Sequence, residues 1–279
     1  MPGVVTRGEI SAGTALCGIL LHPAAHTRSP AMHNAAYAAL GIDAVYLAFD
    51  VTPGELAAAI AGARAMNVRQ LAISIPHKEA VIAHLDRVDE TARAIGAVNT
   101  LTRVGDVLVG SNTDWLGIAR ALERETKLAG KTAVVLGAGG TARAALYALR
   151  EHGARAIVLN RTPGKAEALA RELGAARAGA PSELAEISHD VLINTTSVGL
   201  RADASPVAAD ALRPGSVVLD AVYDPVETRL LRDARARGAR TVSGKWMLIE
   251  QAREQLRLWT QREVDAAVMA EAFDNAGKR

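Results

Sequence analysis

The sequence predicts an α/β chain of two domains, each with a mostly parallel sheet, and three observations carry that prediction. Short aliphatic and β-branched runs alternate with Ala- and Leu-rich stretches of helical period, the pattern of βαβ units. A glycine-rich turn at 137–142 directly follows one of these runs and opens a helical stretch. The chain is 279 residues long and 49% apolar, enough for two domains of ordinary size.

Strands are expected at 16–21, 44–50, 68–75, 132–136, 156–160, 190–194 and 216–222, with helices between them. Ser29-Pro30 offers an N-cap followed by proline in the first turn, and Thr52-Pro53-Gly54-Glu55 has the spacing of a capping box. Gly41 and Gly153 stand where helices should end. Residues 97–110 break the alternation. Two short extended runs around Gly105-Asp106 predict a hairpin there, with a change of domain shortly after it. "MLIEQAREQLRLW" has helical period, and the polar tail 274–279 is expected to fray.

Charge and composition narrow the function. The 32 basic and 30 acidic residues are spread along the chain and leave a net charge of +2, so nothing resembles a footprint for nucleic acid or an anionic membrane. No apolar run approaches the roughly 18 residues of a membrane span, and the first residues lack a signal-peptide pattern. A cytoplasmic protein with a small-molecule partner is expected. Cys17, the single cysteine, sits in "ALCGILL" and reads as a small core residue. The seven histidines show no metal-ligand spacing, so no metal is expected.

The second half carries the stronger motif. In "KTAVVLGAGGTARAALYALREHGA", Gly137 permits a tight turn, Gly139 lets a pyrophosphate approach the backbone, and Ala142 keeps helix and sheet close. Ala138, Gly140 and Thr141 complete the turn, and the helix start offers its free N–H groups to an anion. A glycine turn without a ligand is the plainer alternative. The next strand ends "IVLNRTPGK", so Asn160 stands where an NAD enzyme usually has a carboxylate for the ribose. Arg161, Thr162 and Lys165 follow and could pair with a 2′-phosphate, which favours NADP; a solvated loop arginine is the alternative.

A reductase of this kind needs a second site for a carbonyl substrate. "CGILLHPAAHTRSPAMHNAAY", "SIPHKEAV", "IGAVNTL", "GSNTDWLG", "GAGGTARA", "NRT", "INTTSVGL", "DAVYDPVETRLL" and "GKWMLIEQA", in that order, resemble the motif series of the shikimate dehydrogenase family, which includes quinate/shikimate dehydrogenases. The resemblance runs from about residue 16 to residue 252. It implies reduction of 3-dehydroshikimate to shikimate with NADPH by a monomer or homodimer. It also implies a substrate-binding and catalytic domain of residues 1–114 plus 246–279, to which the C-terminal helix returns, and a Rossmann-type NADP-binding domain of residues 115–245.

By the same resemblance Lys78 is the catalytic lysine and Asp114 its partner carboxylate, expected across one small cleft. The chemistry agrees. Hydride transfer to a ketone leaves a developing alkoxide, and a positioned ammonium can give it a proton while stabilising its charge. Arginine could not serve, because it keeps its proton. Read without the motifs, Lys78 is a surface charge in the first turn of a helix. Thr27 and Ser29 match the hydroxyl pair that holds the substrate carboxylate, though Ser29 serves equally as a plain N-cap. Ser74, Asn99 and Gln251 match contacts to substrate hydroxyls, Tyr223 lies near the cleft, and Asn99 alone would read as a turn residue. Thr195, Thr196 and Ser197 resemble the loop beside the nicotinamide ribose, Ala221 and Gly244 line the nicotinamide, and Met247 closes over it; helix-end roles are the alternative for all of these. His77 is expected in the cleft wall and His26 in a structural role.

Leu21, Thr27, Ala72 and Lys245-Trp246 depart from the family pattern, and the first three bear on substrate choice. Two alternatives follow: a paralogue acting on quinate or an amino-substituted shikimate, and a non-catalytic sensor of a dinucleotide and a ring acid. Retention of both Lys78 and Asp114 argues against the sensor.

Overall fold

The structure is a computed structural model that describes residues 10–25 and 27–277, so His26 lies outside the described residues. Two six-stranded sheets organise the chain, each in its own unit. One unit gathers the residues up to Thr113 with those from Ala252 onward, and the other runs from Asp114 to Gln251.

The first unit contains β1 (Ala15–Leu21), α1 (Ser29–Leu40), β2 (Ala44–Asp50), α2 (Leu56–Ala65), β3 (Gln70–Ile73), β4 (Arg87–Val88), α3 (Glu90–Ile95), β5 (Thr100–Val104) and β6 (Val107–Ser111). Its sheet has the order β2-β1-β3-β5-β6-β4. β1 pairs parallel with β2 and β3, whereas the β5–β6 hairpin, turning at Gly105-Asp106, makes β3–β5 and β5–β6 antiparallel. The core on one face packs Leu20, Leu71, Ile73, Val98 and Leu101 against Leu56 and Ile60 of α2. The capping box forms before α2: Glu55 accepts from the Thr52 N–H at 3.1 Å and from its hydroxyl at 2.6 Å.

The second unit contains α4 (Asp114–Glu123), β7 (Thr132–Leu136), α5 (Gly140–Glu151), β8 (Arg155–Leu159), α6 (Pro163–Leu173), β9 (Arg177–Gly179), β10 (Val191–Asn194), β11 (Val217–Asp220), α7 (Arg229–Ala236) and β12 (Arg240–Ser243). All its strands are parallel, in the order β12-β11-β10-β7-β8-β9. The strand order reverses between β7 and β10, the switch point at which open α/β sheets bind ligands beyond their strand ends. Val134, Leu136, Leu159, Leu192 and Val218 fill its core. α8 (Gly244–Thr260) begins in this unit and continues past Gln251 into the first, where α9 (Ala266–Ala276) ends the described chain.

Several elements differ from the sequence-based expectation. The third strand is Gln70–Ile73 rather than 68–75, because the Val68 N–H turns back to the Ala63 carbonyl at 2.9 Å and the chain leaves the sheet at Pro76, which has no N–H to give. Arg28, not Ser29, is the N-cap of α1. Residues 274–276, expected to fray, continue α9, which buries Met269 and Phe273. Lys78 stands in a turn that leads into a 3₁₀ segment, Ala80–His84, rather than in the first turn of an α-helix.

Candidate active site

In the first unit Ser74, Lys78 and Asn99 lie near the segments that leave β1 and β3. The Ser74 N–H donates to the Leu20 carbonyl at 2.9 Å and the His22 N–H to the Ile75 carbonyl at 3.0 Å, so the segments leaving the two strands run together. The Ile73 N–H donates to the Asn99 carbonyl at 2.8 Å, and the Val98 N–H donates to the Lys78 carbonyl at 2.8 Å. Backbone pairing therefore brings Ser74, Lys78 and Asn99 into one neighbourhood, although 25 positions separate the first and last. Lys78 is half-buried there.

Asn99 is buried, and its Oδ1 accepts from the Thr113 N–H and the Thr100 hydroxyl, each at 2.8 Å, while its Nδ2 donates to Thr113 Oγ1 at 3.0 Å. It thus pins the residue that precedes Asp114. The buried His77 donates from Nε2 to the Val51 carbonyl at 2.7 Å; a carbonyl only accepts, so the acceptor fixes the tautomer. This immobilises the ring as part of the scaffold. The Ser29 N–H donates to Thr27 Oγ1 at 3.3 Å, and Ser29 is buried at the start of α1.

In the second unit Asp114, buried, is the first residue of α4, where the helix dipole favours a carboxylate. Three residues on, Gly117 lies against α8: a Cβ built there would stand 2.7 Å from the Met247 carbonyl oxygen and 2.9 Å from Gln251 Cβ. Positions three apart share a helix face, so the face bearing Asp114 meets the turn of α8 that carries Met247 and Gln251. Gln251 donates from Nε2 to the Leu248 carbonyl at 2.9 Å, and Met247 is buried.

Gly137, Thr195 and Thr196 meet at the switch point. Gly137 has φ +115°, and a Cβ there would lie 2.6 Å from Thr195 Oγ1 and 3.3 Å from Thr196 Cγ2, so backbone geometry and space both demand glycine. Among the described residues, nothing lies within 4 Å of a Cβ built on Gly139, the N-cap of α5, and no side chain caps that helix. An open glycine turn at an uncapped helix start fits a pyrophosphate. Ala138, Gly140 and Thr141, all half-buried, line the same turn.

At the end of β8, Asn160 donates to the Thr162 carbonyl at 3.0 Å, while Arg161, Thr162 and Lys165 are exposed. Thr162 is the N-cap of α6 and Lys165 lies in its first turn, which holds no acidic residue and, among the described residues, has no side-chain cap. Thr195 donates from Oγ1 to the Leu136 carbonyl at 2.6 Å, and Ser197 is exposed. Ala221 and Gly244 touch: a Cβ on Gly244 would stand 2.6 Å from the Ala221 carbonyl oxygen. Tyr223 is half-buried two residues on.

Sequence reasoning missed the polar group beneath this face. Asp220, 0% exposed, accepts from Thr228 Oγ1 at 2.6 Å, Asn194 Nδ2 at 2.8 Å and the Val222 N–H at 3.0 Å. Burial pushes its carboxyl up to about 6 against the pull of those three donors. The available signal was an Asn and an Asp closing two aliphatic strands, since each must find a partner where it is buried.

Comparisons with known proteins bear on this arrangement. The chain matches the shikimate dehydrogenase substrate binding domain over residues 19–101, the shikimate / quinate 5-dehydrogenase domain over 119–202 and the shikimate 5′-dehydrogenase C-terminal domain over 244–272. A shikimate dehydrogenase (NADP(+)) of Moorella thermoacetica is 47% identical over 274 residues, covering 94% of this chain and 93% of its own. The chain belongs to the shikimate dehydrogenase family. A crystal structure of shikimate 5-dehydrogenase from Thermus thermophilus in complex with NADP(H) and shikimate is 40% identical, with a TM-score of 0.88 over 94% of this chain and 100% of that one. A 5-ketofructose reductase of Gluconobacter, ligand-free, is 38% identical, with a TM-score of 0.85 over 95% and 100% of the two chains.

Within the shikimate dehydrogenase family, the departures noted in the sequence now have places. Leu21 closes β1 and Ala72 sits in β3, both buried strand residues. The Trp246 ring lies under the Arg124 guanidinium at 3.8 Å, with Lys245 at 5.5 Å, so this departure joins the start of α8 to the residue that follows α4 by a cation–π contact.

Proposed function

We propose that this protein is an NADP-dependent shikimate dehydrogenase that reversibly reduces the ketone of 3-dehydroshikimate to the hydroxyl of shikimate. The observation that carries this reading is the start of α6. Arg161 and Lys165 sit at the positive end of a helix that has no acid in its first turn and, among the described residues, no side-chain cap. Such an end is self-repelling until an anion occupies it, and the 2′-phosphate that distinguishes NADP is an anion of the right kind. The open glycine turn at Gly139 supports a pyrophosphate one strand away.

NADPH, when bound, supplies the hydride. Lys78 gives a proton from Nζ to the carbonyl oxygen as its charge develops, and recovers it when shikimate is oxidised. Asp114 orients that ammonium and accepts from a substrate hydroxyl. Thr27 and Ser29, with the start of α1, hold the substrate carboxylate; Ser74, Asn99, Tyr223 and Gln251 bind the ring hydroxyls. Gly137, Ala138, Gly139, Gly140 and Thr141 form the pyrophosphate turn, and Asn160, Arg161, Thr162 and Lys165 hold the 2′-phosphoribose. Thr195, Thr196, Ser197, Ala221, Gly244 and Met247 shape the nicotinamide end. The catalytic domain then spans 1–114 plus 246–279 and the NADP domain 115–245. A cytoplasmic location and a monomeric or homodimeric state go with this reading, and the one thiol, Cys17, is buried and calls for no oxidising compartment.

A second reading keeps the chemistry and changes the ketone. It draws on the fold likeness to a 5-ketofructose reductase and on Thr27, whose methyl narrows the substrate side. Purified protein incubated with shikimate, quinate or 5-ketofructose, each with NADP(H) and NAD(H), separates these possibilities through the absorbance of the reduced cofactor. NADP reduction fastest with shikimate is expected. A stronger response to quinate or 5-ketofructose moves the assignment to that substrate, and tight binding without turnover replaces the enzyme with a sensor.

A further inference from the structure

Asp220 is fully buried and spends its oxygens on protein donors, and its hydrogen bonds lead to the proposed cofactor side of the second unit. A carboxylate only accepts, so the amide of Asn194 must turn its Nδ2 toward Asp220, at 2.8 Å. That orientation leaves Asn194 Oδ1 facing the next loop, where it accepts from the Thr196 N–H at 3.0 Å and from the Thr196 hydroxyl at 2.7 Å. The second amide hydrogen of Asn194 reaches the Val198 carbonyl at 3.4 Å. One buried acid thereby sets the conformation of residues 194–198, and Thr195 and Thr196 of that stretch press on Gly137 of the glycine turn.

The same carboxylate anchors two more segments. It accepts from the Val222 N–H and from Thr228, the N-cap of α7, whose oxygen also receives the Leu231 N–H at 3.3 Å. The Asp220 carbonyl oxygen lies 2.7 Å from a Cβ built on Gly244, at the start of α8. Donor directions reach the surface as well. Thr195 spends its hydroxyl hydrogen on the Leu136 carbonyl and Thr196 spends its own on Asn194, while Thr196 Oγ1 already receives the Val198 N–H at 3.2 Å, so toward a ligand both hydroxyls can only accept, each through a remaining lone pair. A ribose, whose hydroxyls donate, suits that pair.

We propose that Asp220 is a positioning residue for the nicotinamide end of NADP, acting through Asn194 on the loop that carries Thr195 and Thr196. This rests on the reading of that loop as part of the cofactor site. Oδ1 of Asp220 serves both Asn194 and Val222, whereas among the described residues Oδ2 faces only the Thr228 hydroxyl, which can reverse its direction. An asparagine can therefore replace Asp220 with Oδ1 retained and Nδ2 turned to Thr228; alanine cannot.

The test is the NADPH dissociation constant of the full chain, read from fluorescence of the reduced nicotinamide, together with KM for both substrates. Asp220→Ala should weaken NADPH binding about tenfold, the equivalent of one lost buried hydrogen bond, with KM for shikimate little changed. Asp220→Asn should stay close to the wild type. Asn194→Ala should weaken binding to a similar degree, and Asp220→Ala added to it should cost little more, because the two act in series. If Asp220→Ala does not fold, the contrast between Asn194→Ala and Asp220→Asn carries the test. NADPH affinity unchanged in Asp220→Ala or Asn194→Ala, or lost equally in Asp220→Asn, overturns the proposal while the cofactor reading stands. A wild-type chain that does not bind NADPH, or a Thr196→Val variant that binds it as the wild type does, overturns the reading beneath it instead.

Discussion

In the first unit His33 is fully buried, stacked on Tyr46 with ring centroids 4.1 Å apart, and among the described residues its two ring nitrogens and the Tyr46 hydroxyl have no hydrogen-bond partner. In the second unit the equally buried Asp220 accepts from three donors. Gln255 approaches His33, but its amide hydrogens go to the Asn99 carbonyl at 3.1 Å and Thr100 Oγ1 at 3.0 Å. The contrast teaches that burial alone does not say what a polar side chain is for. Partnered, it fixes the segments it touches; unpartnered, it is a cost in stability that the surrounding apolar packing must offset.

Acid separates the two most strongly. Burial pulls His33 from 6.5 down to about 3, so below about pH 6.5 the unfolded chain takes a proton that the folded chain refuses. Stability falls by about 1.4 kcal/mol per pH unit across that window, roughly 2 to 3 kcal/mol by about pH 4.5. Asp220 runs the other way. Its folded value, about 6, lies above the unfolded 3.8, so its contribution is largest below 3.8 and is lost as pH rises through 6. The two slopes oppose each other between about pH 4 and 6. In urea melts followed by circular dichroism, His33→Phe, which keeps the stack on Tyr46, should lose less stability than the wild type between about pH 6.5 and 4.5, the remaining acid loss coming from His189, also pushed down by burial, and from carboxylates such as Asp50 and Asp86 that hydrogen bonds hold below their usual range. A variant as acid-sensitive as the wild type would break this half of the comparison.

Asp220→Asn should give the complementary result, a gain of about 1 to 3 kcal/mol at pH 8 from removal of a buried charge, and no gain near pH 4. Destabilisation at pH 8 would mean that the charge itself holds the three segments together.

Gly117→Ala probes contact by packing rather than by hydrogen bonds. Its Cβ has no room against the Met247 carbonyl and Gln251, so a cost of about 1 to 3 kcal/mol is expected, together with a fall in kcat because Asp114 shares that helix face. Unchanged kcat at reduced stability would show that Asp114 is indifferent to where α4 sits.

The smallest effect belongs to the exposed residue. Arg161→Ala should lower the preference for NADP over NAD about tenfold through KM, with little change in melting temperature. An unaltered preference would move the 2′-phosphate away from α6.

Much of this was legible in the sequence because local chemistry wrote it there. The seven expected strands are present, and the hairpin turns at Gly105-Asp106. Three unforeseen strands, β4, β9 and β12, are short edge strands that begin with arginine and run two to four residues, too few for an alternation to show. Gly137 and Gly139 were readable because a turn and an open approach require glycine. Asp220 was not, because its meaning lies in partners 26 positions before it and 8 after it, which only the register of β10 on β11 brings together. Gly117 was hidden for the same reason, since its neighbours on α8 come about 130 positions later.

In the function proposed above, the Lys78 ammonium is the proton donor of a shikimate dehydrogenase. Steady-state oxidation of shikimate by wild type and Lys78→Ala, with the NADPH dissociation constant of each, tests it most directly. A loss of about 10²- to 10⁴-fold in kcat is expected, with cofactor affinity nearly unchanged. A variant that keeps its rate, or one whose loss comes entirely from weakened NADPH binding, would contradict it.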